Sequence, residues 1–296
     1  MSRFPITGIR SVDFTVADLG AAIAFYTEVW ALTLVDRMAH VAWLRGTGAD
    51  PHILALHLGQ GSAIRSMTYR VAGDALFSEL AVSLKRGGAT AIERVGTLDE
   101  PGSGRALVAR DAAGRTVRLV QGDAQLAPLA LDPDAPERLA HVNINSDDVR
   151  RDTAFFVEGL GFTLTDRSKM MAFVRTNDDH HSVVIAEASV NTLNHVAFQL
   201  PTWEGVMRAS GRIIDSHRPI GWGPGRHGPG NNVFAYFVDP FGFVIEYTAE
   251  VLQVDDTYRV GEPDDWTWPA GRTDQWGIAP PKTAECRAAQ LAIPFA

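Results

Sequence analysis

The stretch "AHVNINSDDVRRDTAFFVEGLGFTLTDR", residues 140–167, decides the fold because the chain contains a second version of it. That version is "RSVDFTVADLGAAIAFYTEVWALTLVDR", residues 10–37, which aligns at a constant offset of 130, the difference between 140 and 10. Phe25 aligns with Phe155, and both stretches end on an Asp-Arg pair. Similarity at one fixed offset indicates an internal repeat, because the order of the predicted elements recurs as well.

Each copy begins with a predicted strand, a helix and further strands. The first strand of both copies has β-branched residues at alternate positions, which is typical of a strand with one buried face. Asp18 and Asp148 follow at matching positions, where a carboxylate is suited to cap the N-terminus of a helix. An amphipathic helix is therefore predicted after each aspartate.

The second half of each copy repeats this order. A strand in "SMTYRVAG" (66–73) precedes a helix predicted over residues 74–86, and a strand in "NHVAFQL" (194–200) precedes a helix predicted over 202–211. Both copies then end on a strand that follows a tight turn, Asp-Ala-Ala-Gly in the first and Asp-Pro-Phe-Gly in the second. The repeat therefore predicts two βαβββ modules in each copy.

The predicted fold is α+β, with two lobes that each pair two βαβββ modules into an open, curved, mixed sheet flanked by helices. The predicted divisions are an N-terminal lobe (1–125), a Pro-rich linker (126–137), a C-terminal lobe (138–250) and a C-terminal extension (251–296). The extension contains Trp266, Trp268 and Trp276. It is expected to cover a site, to pack on a neighbouring subunit or to lie on the outer surface.

Composition excludes several classes of function. The 296 residues carry a formal net charge of −8 without a cluster of Lys and Arg, so nucleic acid is not an expected partner. Cys286 is the only cysteine, which excludes an intramolecular disulfide and suits a reducing cytosol. The sequence has neither a secretory signal nor an apolar run of about 18 residues. We expect a cytoplasmic protein without a membrane partner, assembled as a homo-oligomer.

One charged residue lies in an otherwise apolar strand. Glu246 is surrounded by Phe243, Val244, Ile245 and Tyr247, where an ionised carboxylate costs several kcal/mol unless a partner compensates it. The partner is suggested by the repeat. Three positions of the second lobe carry different residues in the first, and the aligned pairs are His141 with Ser11, His195 with Ser66, and Glu246 with Arg118.

These three residues have the composition of a metal site. They come from three predicted strands, each at the same place relative to its motif. Two imidazoles and one carboxylate on one face of a metal form the facial triad of non-haem Fe(II) oxygenases. A single histidine on a strand is more often a core residue with a satisfied hydrogen bond, but three matched changes favour the metal site.

Further polar residues of the second lobe lie in two segments. "NDDHHSVVI" (177–185) supplies a histidine at the start of a strand, and "GPGRHGPGNNVFAY" (223–236) is interpreted as a Gly- and Pro-rich loop that presents His227. The alternative for His227 is an ordinary turn with a surface histidine. The alternative for Tyr236 is a plain core residue of a strand.

Residues 139–250 resemble the type I extradiol ring-cleaving dioxygenases of the vicinal oxygen chelate superfamily, and they are especially similar to catechol and homoprotocatechuate 2,3-dioxygenases. The most specific part is "GPGRHGPGNNVFAYFVDPFGFVIEYT", in which Tyr236 follows His227 by nine residues and Glu246 follows Tyr236 by ten. "HHSVVI" followed by "LNHVAF" is also close to the pattern of the family. The resemblance implies the two-lobe fold with a degenerate, metal-less first lobe.

The resemblance also implies the roles of six residues: the Fe(II) ligands His141, His195 and Glu246, the acid–base residue His181, the substrate-oxygen donor His227 and the catechol-hydroxyl partner Tyr236. His180 is the competing candidate for the acid–base role. His181 is preferred because it immediately precedes the apolar strand and lies fourteen residues before His195. Mn(II) is the alternative metal, and O2 is the implied co-substrate.

The implied reaction inserts both atoms of O2 into a catechol-type ring beside the vicinal diol, which gives a ring-opened semialdehyde in aromatic catabolism. Trp222 and Gly223 replace a more basic approach to the site, so an anionic substituent on the substrate is less expected. Two rival classes in the same superfamily are a glyoxalase-like isomerase or thiol transferase, and a non-enzymatic small-molecule-binding protein. The first requires a Glu or Gln ligand from the first lobe, where Ser11, Ser66 and Arg118 stand instead.

Overall fold

The computed structural model describes residues 5–73 and 75–296, and the first half of this chain forms an eight-stranded mixed sheet. The strands are β1 (Ile6–Val16), β2 (Thr33–Arg37), β3 (Val41–Arg45), β4 (Leu54–Leu58), β5 (Ala63–Val71), β6 (Ala91–Thr97), β7 (Arg105–Arg110) and β8 (Thr116–Gln121). Their order across the sheet is β2-β3-β4-β1-β5-β8-β7-β6. The strands β1 and β5, which begin the two modules, are antiparallel neighbours at the centre.

The second half repeats this arrangement. The strands are β9 (Arg138–Ser146), β10 (Thr163–Arg167), β11 (Met171–Arg175), β12 (Val183–Glu187), β13 (Thr192–Gln199), β14 (Trp222–Arg226), β15 (Val233–Val238) and β16 (Val244–Ala249). Their order is β10-β11-β12-β9-β13-β16-β15-β14, which matches the first sheet strand for strand. The predicted α+β fold of paired βαβββ modules is therefore confirmed, with two open sheets.

Helices connect the strands where the repeat predicts them. The helices are α1 (Leu19–Ala24), which continues as a π-helix (Phe25–Val29), α2 (Phe77–Arg86), α3 (Val149–Ala154), which continues as a π-helix (Phe155–Gly159), and α4 (Trp203–Asp215). Asp18 and Asp148 cap α1 and α3 by accepting a hydrogen bond from a backbone N–H three residues on, as predicted.

Three boundaries differ from the sequence prediction, and the first is the helix predicted over 202–211, which is observed over Trp203–Asp215. The helix predicted over 74–86 is observed over Phe77–Arg86, and its predicted first residue, Asp74, lies outside the described residues. The segment 223–236, interpreted as a loop, contains most of β14, which pairs with β15 despite two glycines and a proline. An edge strand tolerates these residues because only one side of it needs hydrogen bonds.

The two lobes share one continuous hydrophobic core. Trp30 of the first lobe stacks on Tyr247 of the second with ring centroids 3.7 Å apart. Phe14 stacks on Phe243 in the same way at 3.9 Å. Aromatic pairs of this kind bury large apolar areas, so the lobes support each other. The proposed division of the chain into domains stays a prediction.

The C-terminal extension returns to the second sheet. After a 3₁₀ turn (Pro263–Asp265) and the helix α5 (Ala284–Ala289), the strand β17 (Ile293–Pro294) pairs with β13. Backbone hydrogen bonds also join Gly261 to Arg167 and Thr283 to Gly221. The extension is therefore bound along the second lobe. Across residues 5–73 and 75–296, none of the helices combines the length and apolar composition needed to cross a membrane.

Candidate metal centre

The three predicted ligands lie on three neighbouring strands of the second sheet. His141 is on β9, His195 on β13 and Glu246 on β16, and β13 lies between the other two strands. Ala197 of β13 pairs with His141 on one side and with Glu246 on the other. Because alternate residues of a strand face the same side, the three side chains converge on one face.

The ligand atoms lie close to one another. His195 Nε2 is 3.1 Å from Glu246 Oε2, and His141 Nε2 is 3.2 Å from the same oxygen. The two Nε2 atoms are also 3.2 Å apart. Bonds of about 2.1 Å that meet at right angles at one ion would separate their ligand atoms by about 3.0 Å. The spacing therefore fits a facial triad around one divalent metal.

Burial supports the same interpretation. Glu246 is fully buried, and its Oε2 atom has no hydrogen-bond partner among the described residues. Its Oε1 atom has a long contact of 3.4 Å with the Asn232 amide and lies 3.9 Å from His227 Nε2. A buried carboxylate oxygen without a donor is costly, and a cation at the meeting point of the three side chains would compensate it.

A second layer of residues orients His195. The Asn194 side-chain oxygen is 2.9 Å from His195 Nδ1 and accepts a hydrogen bond from its N–H, which leaves the Nε2 lone pair for a metal. Gln290 from the extension donates to the same oxygen at 2.6 Å. His141 Nδ1 has no such partner among the described residues. The extension thus helps to hold one ligand in place.

The charges of the site depend on burial and on neighbouring groups. Burial raises the pKa of Glu246, but His141 and His195 outweigh it and hold the pKa well below its usual value. Burial lowers the pKa of His195 to about 4 despite the nearby carboxylate. At neutral pH the centre therefore presents an ionised carboxylate and a neutral His195, which are the protonation states that metal ligation requires.

Two of the candidate ligands, His141 and His195, line a cavity of about 350 Å³. The cavity is also lined by the three other predicted site residues, His181, His227 and Tyr236. The His181 ring centroid is 4.3 Å from that of His141. The structure therefore brings all six predicted residues together, although their roles stay a prediction.

His180 and His181, the two candidates for the acid–base role, differ in their access to the cavity. His181 lines the cavity, whereas His180 lies behind it, fully buried, with Nε2 2.7 Å from Asp166 Oδ2. His180 Nδ1 in turn faces His181 Nδ1 at 3.1 Å. His181 is thus the histidine that a ligand in the cavity can contact, which favours the preferred assignment.

Tyr236 and His227 form a neutral pair beside the centre. The Tyr236 hydroxyl is 3.0 Å from His227 Nε2 and 3.5 Å from His195 Nε2. Burial, followed by the charge of Glu246, raises the pKa of Tyr236 well above its usual value. Burial lowers the pKa of His227 to about 3. Tyr236 therefore remains a phenol, and His227 remains an uncharged imidazole.

The first lobe has no equivalent triad among its described residues. In the first sheet Val12 pairs with Met67, and Met67 pairs with Val117. In the second sheet the equivalent pairings join Val142 to Val196 and Val196 to Ile245. This register places Ser11, Ser66 and Arg118 at the positions of His141, His195 and Glu246, as the sequence alignment predicted.

Fixed charges replace a metal in the first lobe. The Arg118 guanidinium lies 2.6 Å from Glu100 and 3.5 Å from Asp13. These neighbours raise the pKa of Arg118 although burial alone would lower it. A guanidinium already compensates the buried carboxylates, so this position does not require a bound cation.

Several cavity residues were missed in the sequence. Lys282, Trp266 and Trp268 line the cavity from the extension, and Lys282 Nζ lies 4.5 Å over the Trp222 ring. The extension has no counterpart in the first copy, so the comparison of the two copies had nothing to align. Its tryptophans were noted as a possible cover, and Trp266 and Trp268 do form part of the wall.

Comparisons with known proteins agree with this fold. A model of the Glyoxalase/Bleomycin resistance protein/Dioxygenase superfamily matches residues 138–247. A crystal structure of the Mn(II)-bound glyoxalase from Novosphingobium aromaticivorans shares 32% sequence identity with a TM-score of 0.87. The match covers 95% of this chain and 94% of that chain, so it includes both lobes.

Two curated relatives are metapyrocatechases. Metapyrocatechase 2 from Cupriavidus necator is 32% identical over 139 residues, which are 46% of this chain and 41% of the relative. Metapyrocatechase from Pseudomonas sp. (strain CF600) is 25% identical over 252 residues, which are 78% of this chain and 82% of the relative. The chain thus spans less than half of the first relative and most of the second.

Proposed function

We propose that this chain, which belongs to the glyoxalase/bleomycin resistance protein/dioxygenase superfamily, is an extradiol ring-cleaving dioxygenase. The observation that carries the proposal is the convergence of His141, His195 and Glu246 next to a cavity that His181, Tyr236 and His227 also line. The similarity to two metapyrocatechases supports the same reaction class. The proposed reaction adds both atoms of O2 to a catechol-type ring next to its diol and yields a ring-opened semialdehyde.

We propose Fe(II) as the metal, with Mn(II) as the alternative. His141, His195 and Glu246 would hold it, and both ions accept two imidazoles and a carboxylate. Bound there, the metal would lower the pKa of the diol hydroxyls and hold the diol and O2 next to each other. The Mn(II)-bound glyoxalase structure makes the choice of metal worth measuring directly.

The chain's own side chains would bind and orient the diol. Tyr236, as a neutral phenol, can donate a hydrogen bond to a diol oxygen and exchange a proton with the neutral His227, 3.0 Å away. His181, on the other side of the centre beside His141, is placed to accept a proton from the substrate and return it later. Both tasks require groups that are uncharged at neutral pH, as burial makes them.

The wall of the cavity indicates the class of substrate. Phe173, Met171 and Trp266 provide an apolar surface against which an aromatic ring can pack. Lys282 adds an amine next to Trp222, and burial lowers its pKa. An anionic group on the substrate would stabilise the charged form of this lysine. We therefore propose a vicinal diol with an anionic substituent, which the sequence had made less expected.

A glyoxalase-like isomerase is the competing function because the structure from Novosphingobium aromaticivorans bears that name. An isomerase of this kind was expected to draw a Glu or Gln ligand from the first lobe. Ser11, Ser66 and Arg118 occupy the equivalent positions here, and Arg118 is bound by Glu100 at 2.6 Å. The first lobe therefore supports the dioxygenase rather than the isomerase.

One experiment tests the proposal against its rivals. The purified chain is loaded anaerobically with Fe(II) or with Mn(II), mixed with unsubstituted, alkyl-substituted or carboxylated catechols, and then exposed to O2. We expect O2 uptake with the appearance of a yellow ring-opened product, and no conversion of a hemithioacetal under the same conditions. A chain that holds one equivalent of metal, yet consumes no O2 with any catechol, would show that the proposed function is wrong.

A further inference from the structure

Three side chains form a hydrogen-bonded row behind the cavity. Asp166 Oδ2 lies 2.7 Å from His180 Nε2, and His180 Nδ1 lies 3.1 Å from His181 Nδ1. Asp166 and His180 are fully buried, and neither lines the cavity. Only His181, at the end of the row, faces the space next to His141. The row therefore connects a buried carboxylate to the candidate acid–base residue.

The extension holds Asp166 in place. The backbone N–H of Gly261 donates to Asp166 Oδ1 at 2.7 Å, and the Tyr258 hydroxyl lies 3.3 Å from Oδ2 and 3.4 Å from Oδ1. A Cβ atom at Gly261 would come within 2.5 Å of Asp166 Oδ1, so the backbone approaches this carboxylate closely. Asp166 is thus fixed by donors on one side and faces His180 on the other.

These contacts determine where the ring protons lie. An ionised carboxylate only accepts hydrogen bonds, so His180 Nε2 carries a proton and donates it to Asp166. With one ring proton, placed on Nε2, His180 has an unprotonated Nδ1 that accepts the hydrogen bond from His181 Nδ1. The opposite arrangement would bring two lone pairs to within 2.7 Å at the Asp166 contact. His181 Nδ1 is therefore the donor.

We infer that Asp166 and His180 are positioning residues, which fix His181 as the tautomer with an unprotonated Nε2 directed away from His180 and towards the cavity. This inference rests on the proposed function for its kinetic meaning. A diol hydroxyl can transfer its proton to this Nε2 atom, and the same proton can return to an oxygen of the ring-opening substrate. The opposite tautomer would offer an N–H group and could not accept the first proton.

Packing supports the same orientation. The Gly230 backbone lies so close to His181 that a Cβ atom there would be 2.6 Å from Cε1 and 2.9 Å from Nδ1. The Phe173 ring contacts the rings of His180 and His181 edge-on, with centroids 5.8 and 5.6 Å away. The His181 ring therefore has little room to flip, and the hydrogen bond to His180 holds Nδ1 on the side away from the cavity.

The first test reads the tautomer directly by ¹⁵N NMR of the full chain, labelled in the histidine rings and loaded with diamagnetic Zn(II). We expect His181 with a protonated Nδ1 and an unprotonated Nε2. In Asp166→Asn the side-chain oxygen remains with the Gly261 N–H, so the amide NH2 group faces His180 Nε2. His180 is then protonated at Nδ1 and His181 at Nε2, the reverse of the wild type. An unchanged pattern in Asp166→Asn, or a protonated Nε2 in the wild type, would overturn the inference.

The second test separates positioning from a merely structural role. His180→Gln retains a donor for Asp166 and an acceptor for His181, whereas His180→Leu retains neither. We expect His180→Leu to lower kcat about 10- to 100-fold with little change in KM or metal content, and His180→Gln to restore most of it. His40→Gln, at an exposed histidine of the first lobe, is the matched control. Equal kcat values for the Leu and Gln variants would contradict the inference.

The two tests also distinguish failure of this inference from failure of the proposed function. If the wild type cleaves no catechol, the NMR experiment still decides the tautomer. If His180→Leu does not fold, Asp166→Asn and His180→Gln give the same answer by NMR and kinetics.

Discussion

Glu246→Gln should weaken metal binding about 100- to 1,000-fold while leaving the second lobe folded. The substitution keeps the shape of the side chain but replaces the anionic oxygen that lies 3.1 Å from His195 and 3.2 Å from His141. The new amide can donate a hydrogen bond to one of these imidazoles, so the metal-free protein should lose little stability. The substitution should therefore change mainly the stabilisation that added metal gives to the folded protein.

The size of the effect follows from the contribution of one ligand to the free energy of metal binding. A four-ligand structural zinc site binds with about 10–16 kcal/mol, so one ligand contributes about 2.5–4 kcal/mol, or a factor of about 100 to 1,000 in Kd. Metal at about 1,000 times the wild-type Kd stabilises the folded state by about 4 kcal/mol. For the variant the same concentration is only about 1 to 10 times Kd, and the stabilisation falls to about 0.4–1.4 kcal/mol.

Thermal unfolding with and without metal measures this difference. For a chain of this size about 1 kcal/mol corresponds to a Tm change of about 2 °C, so the metal-induced rise in Tm should shrink by about 5–7 °C in Glu246→Gln. Glu187→Gln, at an exposed carboxylate at the end of β12, is the matched control and should respond as the wild type does. A Glu246→Gln protein that keeps the full metal-induced shift and one equivalent of metal would refute the triad.

Three further outcomes follow from the structure. Arg115→Met should destabilise the protein by about 3–5 kcal/mol in urea unfolding, because the buried guanidinium pairs with Asp111 and, across the lobes, with Asp152, each at 2.7 Å, and its loss leaves the buried Asp111 without its ion-pair partner. The pKa of His195 is lowered to about 4 in the folded state, so the unfolded chain binds more protons below about pH 6.5. The free energy of unfolding of the metal-free protein should therefore fall by about 2 kcal/mol from this group between pH 7 and 5, and an unchanged urea midpoint over this range would contradict this. Lys282→Met should raise KM for carboxylated catechols about 10- to 100-fold and leave KM for neutral catechols unchanged. An equal change in KM for both would show that the lysine does not bind an anionic group of the substrate.

The repeat made most of the fold predictable. Two copies of one pattern predicted paired βαβββ modules in each lobe, whereas the order of the strands across each sheet was found only in the structure. The candidate ligands could also be found, since His141, His195 and Glu246 replace three first-lobe residues at matching positions. A comparison within one chain thus separates what the fold requires from what the site requires.

The rest depends on contacts that a sequence pattern does not record. Asp166 aligns with Asp36 and was interpreted only as a mark of the repeat. In the structure Asp36 is exposed and bonds to the next backbone N–H, whereas Asp166 is buried against His180. Lys282 comes from a segment without a counterpart in the first copy, and only the path of the extension across the second lobe brings it to the cavity.

The two lobes show alternative ways to stabilise charge at equivalent positions of their two sheets. In the first lobe Arg118 lies between Glu100 and Asp13, and each of these charges has a fixed partner within the chain. In the second lobe Glu246 stands at the position of Arg118, and the groups nearest to its Oε2 atom are imidazoles. Because burial of an anion is costly in either lobe, the second lobe needs a positive charge that the chain itself does not supply. A bound divalent metal would meet this need, so the residues proposed for chemistry are also those by which the metal would stabilise the fold.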